Sequence, residues 1–432
     1  MLTMRIGVVP VSSRITGGVY QYSTTLAKGL SDLHLPDSMI MFTEEGEELA
    51  PELAAIPFEH VEISSTRGVL APLKRALSAV VPTPMKVAVR NLANRAAPVK
   101  PDESMPSDLG TVVSTPRGRL WAKGLGGRGL DLMLYPTSNA ISFEVGIPYI
   151  VAIHDLQHRL QPKFPEVSAN GEWEAREYDL GNCITSATIV LVDSEVGKED
   201  VLRFYGDRGI AEDEVMVLPF LPAPYISDAS DLEVRRVLAA YGLERGYLFY
   251  PAQFWPHKNH VRIVEALALL RGQGLDVRLV LSGSHSGELR EATFVAVKHK
   301  AAETGVGDLV RYLGRVPDED MSALYLGSAG LIMPTFFGPT NIPPLEAFSL
   351  GRPVITSDIR GIREQMDGAA LLIDPRSAES ISAGIRRLLT EPGLADVLVT
   401  RGRERLTSFS RSDYLERLRS IIETARTRVA RA

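Results

Sequence analysis

Short apolar runs alternate with longer amphipathic runs along nearly the whole chain. The apolar runs fall at 5–9, 39–42, 131–135, 149–153, 188–192 and 215–218 in the first half. In the second half they fall at 247–250, 277–281, 310–313, 330–333, 353–356 and 371–373. Each ends in a turn signal, and helical periodicity fills most of the intervals. That is the pattern of buried parallel strands joined by helices, so the expected class is α/β. Between the two sets lies Pro219-Phe220-Leu221-Pro222-Ala223-Pro224. Its three prolines forbid a regular helix or a central strand and mark a linker. The spacing therefore predicts domains at 1–222 and 223–410, followed by a C-terminal helix over 411–432. Leu415, Leu418, Ile421, Ile422 and Ala425 share one face of that helix, which suits packing back on the N-terminal domain.

One segment breaks the pattern. An insertion at about 67–129 begins with two basic amphipathic helices interrupted at Pro82 and Pro84, and 101–129, rich in Gly, Pro and Ser, reads as a loop. Leu70, Leu73, Leu77, Val80 and Val81 form the apolar stripe, accompanied by Lys74, Arg75, Lys86, Arg90 and Arg95. Two readings stay open for 67–100: peripheral contact with a membrane surface, or a helix pair covering a domain with its charged face in water. The whole chain carries a net charge of −6, while 67–128 holds 11 Lys and Arg against three acids. An acidic body with one basic segment excludes general nucleic-acid binding and favours one surface that meets something anionic.

The 432 residues are too many for one ordinary core, and 45% hydrophobic with 23% charged residues suits a folded globular chain. A single cysteine, Cys183, excludes an internal disulfide and a cysteine-based zinc site. The N-terminal residues pass straight into a strand-like run without a leader pattern, and no apolar stretch reaches 18 residues. The expected location is cytoplasmic, with the inner membrane face open through 67–100. Oligomeric state leaves no trace in the sequence.

Four constellations carry candidate chemistry. The first strand is followed by a loop ending in Gly17-Gly18 and a helix bearing Tyr22, Leu26 and Leu30. Glycines at a helix start let a phosphate or sugar approach the free N–H groups, although a glycine pair in a loop is also an ordinary structural device. Next, the apolar run Val151-Ala152-Ile153 stops at His154-Asp155, the place where open parallel sheets present ligand-binding side chains. The alternative is a histidine satisfied at a strand end. Third, Gln253-Phe254-Trp255-Pro256-His257-Lys258-Asn259 follows a strand and precedes a helix, so Lys258 can neutralise a diphosphate. Fourth, residues 334–348 run from a strand through Gly338-Pro339-Thr340-Asn341-Ile342 into a helix. Its first turn is expected to carry Glu346, whose carboxylate can accept both hydroxyls of a ribose diol while the loop amides face phosphate or sugar. The competing role for Glu346 is a helix cap favoured by the macrodipole.

These motifs, with Gly314-Arg315-Val316, Gly351-Arg352-Pro353-Val354 and Gly361-Ile362-Arg363-Glu364, resemble family 4 of the retaining glycosyltransferases over nearly the whole chain. The resemblance implies the GT-B fold: two facing Rossmann-like domains with parallel sheets and a cleft between them. It also implies that the Gly17-Gly18 amides meet the donor phosphate, that His154-Asp155 lies at the reacting sugar, that Lys258 holds the diphosphate and that Glu346 binds the ribose. Gln253 and Gly338-Pro339-Thr340-Asn341-Ile342 would complete the donor site. Two positions depart from the family: Gly338 stands where most members have a first glutamate, eight residues before Glu346, and Gln253 where most have an arginine.

The expected activity is metal-independent, retaining transfer of a sugar from a nucleotide-diphosphate donor to a glycan or lipid-linked glycan acceptor, in cell-surface polysaccharide synthesis. No cofactor and no metal is expected. Alternatives are a nucleotide-sugar epimerase of the same fold, a non-catalytic nucleotide-sugar-binding protein, and a metal-dependent transferase using Asp318-Glu319-Asp320. That trio follows Pro317 at a helix start, where acidic residues are favoured by the dipole alone.

Overall fold

A computed structural model describes residues 3–14, 17–64, 112 and 114–431. The chain forms two compact units, Met1–Leu218 with Leu415–Ala432, and Pro219–Tyr414. The division falls at the start of the proline-rich segment.

The first unit is built on a seven-stranded parallel sheet, ordered β3-β2-β1-β4-β5-β6-β7. Its strands are β1 (Arg5–Val8), β2 (Ser38–Glu44), β3 (Glu59–Ile63), β4 (Leu132–Tyr135), β5 (Tyr149–Ala152), β6 (Ile189–Val192) and β7 (Val215–Val217). The second holds a six-stranded sheet, ordered β10-β9-β8-β11-β12-β13. These are β8 (Tyr247–Pro251), β9 (Leu279–Ser282), β10 (Val310–Tyr312), β11 (Ser328–Met333), β12 (Val354–Ser357) and β13 (Leu371–Ile373). Every residue of β4, β5, β6 and β9 is buried, as strands covered by helices on both faces must be. In each sheet the order reverses beside the first strand, between β1 and β4 and between β8 and β11. Loops leaving the carboxyl ends of those strands splay apart and leave a crevice for a ligand.

β3 escaped the sequence pattern for a physical reason. It is an edge strand of sequence EHVEI with only Ile63 buried, so no apolar run announces it. The loop expected over 101–129 needs a second correction. Pro116–Leu125 is a helix, capped by the Thr115 hydroxyl accepting from Gly118 N at 2.9 Å, with Trp121 and Leu125 buried. Gly124 is there for packing: a β-carbon would come within 2.6 Å of Ile63 Cδ1. The rest of the basic insertion, residues 67–111 and 113, lies outside the described residues, and with it the expected membrane contact at 67–100. Among the described residues no helix is long and apolar enough to cross a membrane.

The terminal helix Arg411–Val429 returns to the first unit from Leu415 onward. Leu418, Ile421, Ile422 and Ala425 are fully buried. Arg426 pairs with the buried Asp37 at 2.5 Å, and Asp37 also takes Met4 N at 2.8 Å, so the helix is fastened to the start of β1.

Candidate functional site

In the first unit, the loop after β1 is tied down on its outer side. Val11 N donates to Ser23 Oγ at 2.9 Å, Ser12 bonds Glu47, and Arg14 pairs with Glu52 at 2.6 Å while the Tyr20 hydroxyl reaches the same carboxylate. The loop then enters the helix Gly18–Asp32 through Gly17 at φ 63° and ψ −119°, a conformation open to glycine alone in practice. Among the described residues no side chain caps this helix, and its first turn holds no acidic residue to offset the dipole.

His154 follows β5. Its Nε2 lies 2.9 Å from Pro136 O just beyond β4, so Nε2–H donates and Nδ1 keeps its lone pair. Burial pushes the imidazole pKa down, against the opposing pull of the Pro136 carbonyl and Asp155. The Tyr22 ring meets it edge-on at 4.8 Å, so the helix after Gly17-Gly18 and the end of β5 share one contact. Asp155 does different work. Its Oδ1 accepts from Gln157 N at 3.1 Å and lies 3.8 Å from Arg176, which shapes the turn after β5.

In the second unit, the loops after β8 and β11 are stitched together. Asn259 adopts a left-handed conformation, φ 62°, and its Nδ2 donates to Pro334 O at 3.0 Å and to Pro375 O at 2.7 Å. Phe336 N donates to His257 O at 2.9 Å, and the His257 and Phe337 rings stack at 4.1 Å. The Tyr250 hydroxyl donates to Lys258 O at 2.8 Å. With its backbone so fixed, Lys258 directs Nζ to 3.4 Å from Asn341 Oδ1.

Asn341 is itself clamped by a residue the sequence did not single out. Gln365, buried in the helix Arg360–Met366, accepts from Asn341 N at 2.9 Å and donates to Asn341 O at 2.6 Å. Gly338 has φ 95°, and a β-carbon there would lie 2.7 Å from Asn341 Nδ2. The carboxamide of Asn341 thus fills the space that a side chain at position 338 would need, which is why glycine stands there. Gly361 allows the backbone of this loop to touch the next helix, since a β-carbon would come within 2.2 Å of Pro339 O. Thr340 and Ile342 are buried.

Glu346 needs a correction of place. The helix Ile342–Ser349 begins four residues before it and has no acidic residue in its first turn, so the capping role falls away. Its carboxylate is buried, with Oε1 accepting from the Tyr225 hydroxyl and Oε2 from the Tyr325 hydroxyl, both at 2.7 Å. Burial raises its pKa and the two hydroxyls pull the other way. Gln253 Oε1 accepts from Trp255 Nε1 at 3.0 Å and from Arg290 Nη1 at 2.8 Å. The acidic trio at 318–320 occupies the first turn of Asp318–Gly327, where Asp320 takes the Tyr241 hydroxyl at 2.9 Å. Among the described residues no group of three or more His, Cys, Asp or Glu side chains is arranged to hold a metal ion.

Residues 239–405 match the family model for glycosyl transferases group 1. An O-antigen chain mannosyltransferase B from Escherichia coli is 28% identical over 252 residues, 57% of this chain and 63% of that protein. A D-inositol 3-phosphate glycosyltransferase from Corynebacterium glutamicum is 24% identical over 57% of this chain and 59% of its own length. The chain thus spans about three fifths of the length of these relatives. Among solved structures, a glycosyltransferase from Rickettsia africae superposes with a TM-score of 0.67 at 16% identity, covering 100% of both chains. Anabaena HepE in complex with UDP and glucose gives 0.66 at 15% identity, covering 98% of this chain and 99% of that one.

Residues 239–405, most of the second unit, thus match the group 1 glycosyl transferase model. The fold of the chain is GT-B. The family match takes in Gln253, Lys258, Gly338, Asn341 and Glu346 together with Arg290, Tyr325 and Gln365, whereas Gly17, Gly18, His154 and Tyr225 lie outside it.

Proposed function

We propose that this chain is a metal-independent, retaining glycosyltransferase that takes a sugar from a nucleotide-diphosphate donor. The observation that carries the reading is the meeting of Lys258 and Asn341 where the loops after β8 and β11 join, at the switch point of the second sheet. The ammonium is held at the Asn341 carboxamide, and the surrounding loop is fixed by Gln365, Asn259 and two close-packed glycines. Lys258 would neutralise the departing diphosphate, and the backbone of 338–342 would meet the donor sugar. Glu346 would accept the ribose hydroxyls through lone pairs that Tyr225 and Tyr325 leave unused, since each carboxylate oxygen has two.

In the first unit the uncapped start of Gly18–Asp32 suits phosphate, and neutral His154 suits a sugar hydroxyl. For retention, the acceptor oxygen bonds to the anomeric carbon on the face from which the diphosphate leaves, and the leaving phosphate oxygen takes the acceptor proton. Positioning and charge stabilisation then supply the rate. The named activity of the Escherichia coli relative, on an O-antigen chain, supports a glycan or lipid-linked glycan acceptor, with synthesis of cell-surface polysaccharide on the cytoplasmic side of a membrane.

Lys258→Ala tests the reading. Turnover with a matched donor and acceptor should fall about 10²- to 10³-fold with the melting curve unchanged, and wild-type turnover should survive excess chelator. Near-normal turnover in the variant refutes the role of Lys258. Loss on chelation refutes the metal-free chemistry, and conversion of the donor with no acceptor present would make the protein an epimerase.

A further inference from the structure

A second cation reaches the loop that carries Lys258, from an element the sequence motifs do not include. β9 ends beside β8, and the chain beyond it runs against the backbone of the β8 loop. Gly283 has φ 132°, and a β-carbon there would lie 2.4 Å from Ala252 O. Phe254 N donates to Ser284 O at 3.2 Å, which joins the two loops. The helix Glu288–Glu303 then starts, and its third residue, Arg290, turns back over the β8 loop. Its guanidinium carbon lies 4.6 Å from the centre of the Trp255 ring, and Nη1 donates to Gln253 Oε1 at 2.8 Å. Gly287, at φ 103°, leaves room for the head group, since a β-carbon would stand 3.3 Å from Nη2.

What Arg290 lacks is an anion. Its Nε is buried without a hydrogen-bond partner, and among the described residues no carboxylate pairs with it. Three other arginines of the same unit are matched by acids, Arg271 with Asp276 and Asp308, Arg278 with Glu244 and Arg262 with Glu265, while Arg352 spends its donors on backbone carbonyls. Arg290 spends one of five N–H donors on an amide oxygen that Trp255 Nε1 already shares. A buried, unpaired donor on a charged group is costly, and an arriving oxyanion would relieve it. The guanidinium fork matches phosphate oxygens two at a time, and a face stacked on indole leaves its edge for the ligand.

We infer that Arg290 is a second diphosphate-binding cation, held in place by Trp255 and Gln253 and acting beside Lys258 on the nucleotide donor. This rests on the proposed function. The ligand class is a nucleoside diphosphate, recognised through its phosphates and not its base.

The test is calorimetric titration of UDP and GDP, with uridine and guanosine as controls, into the full chain and its variants. Arg290→Met keeps the stem on Trp255 and removes the charge. It should weaken binding of the preferred diphosphate roughly ten- to a hundredfold while leaving nucleoside binding unchanged. Arg290→Gln, which retains a polar head for Gln253, carries the same expectation should the methionine variant fail to fold. Diphosphate affinity within twofold of wild type in a folded Arg290 variant, with affinity lost in Lys258→Ala, overturns the role of Arg290 and leaves the proposed function standing. A wild-type chain that binds neither diphosphate sinks both.

Discussion

Glu177 in the first unit and Glu346 in the second are both buried helix carboxylates, and they are held in opposite ways. Glu177 receives Arg159 Nε at 2.7 Å and a second Arg159 nitrogen, His158 Nε2 at 3.1 Å and the Tyr205 hydroxyl at 3.0 Å, with Arg208 3.5 Å away. Burial opposes its ionisation, yet His158 and Arg159 outweigh burial and hold the carboxyl at about 2. Glu346 has two tyrosine hydroxyls and, among the described residues, no cation paired with it, and burial keeps its pKa above the ordinary value. One arrangement is a closed ion cluster that joins three helical segments. The other binds a carboxylate with neutral groups only and leaves its charge to be answered by something else. Arg290 shows the converse, a cation whose polar partner among the described residues is the neutral carboxamide of Gln253.

Breaking the closed cluster should have the larger effect. Glu177→Gln leaves Arg159 buried without its counter-charge, and losses of about 3–5 kcal/mol are usual for that change. Denaturant unfolding followed through the emission of Trp121 and Trp173, both in the first unit, would read it. The same carboxylate sets an acid limit. Its folded pKa is depressed from 4.5 to about 2, so its contribution is complete above about 4.5 and disappears as pH falls toward 2. An unfolding free energy in Glu177→Gln within about 1 kcal/mol of wild type would show that the cluster is not the structural clamp described.

Removing one hydroxyl from Glu346 should matter less. Tyr325→Phe takes away the hydrogen bond to Oε2, and a buried acceptor left short of a partner costs about 1–3 kcal/mol. Under the proposed function the variant should also raise KM for the donor more than it lowers kcat, because a swinging carboxylate meets the ribose poorly. A stability loss with unchanged KM would confine Tyr325 to the core.

How much of this was legible beforehand depends on whether the signal is local. The twelve apolar runs correspond to strands because buried parallel strands are continuous in sequence, whereas β3, with two glutamates and a histidine in five residues, carries no such signal. Lys258 and the 338–346 loop stood out because their unusual composition is contiguous. Gln365, Tyr225, Tyr325 and Arg290 did not, since each reaches the site from a distant segment and is an ordinary residue where it stands. The substitution at 338 was visible as a missing carboxylate. Its reason, the Asn341 carboxamide occupying that space, exists only in three dimensions. Glu346 shows the reverse error, a carboxylate read near a helix start and found a turn further in among tyrosines.

The smallest expected effect is the most diagnostic, because only its sign differs from that of Glu177. A carboxyl whose folded pKa is raised holds its proton more tightly in the native state, so it favours folding below its unfolded pKa and loses that advantage as pH rises through the folded value. Glu346 therefore makes the second unit more stable on mild acidification, in the range just above 4.5 where Glu177 is still fully ionised. Glu346→Gln removes the titrating group while keeping an oxygen for one tyrosine, and should cost about 1 kcal/mol or less near neutrality. The variant's melting temperature should also vary less than wild type between pH 7 and pH 5. Trp255 is the only tryptophan in the second unit, so its emission can follow that transition. If wild type and variant kept the same pH slope there, burial would not hold a proton on Glu346 in that range, and the expectation would fail.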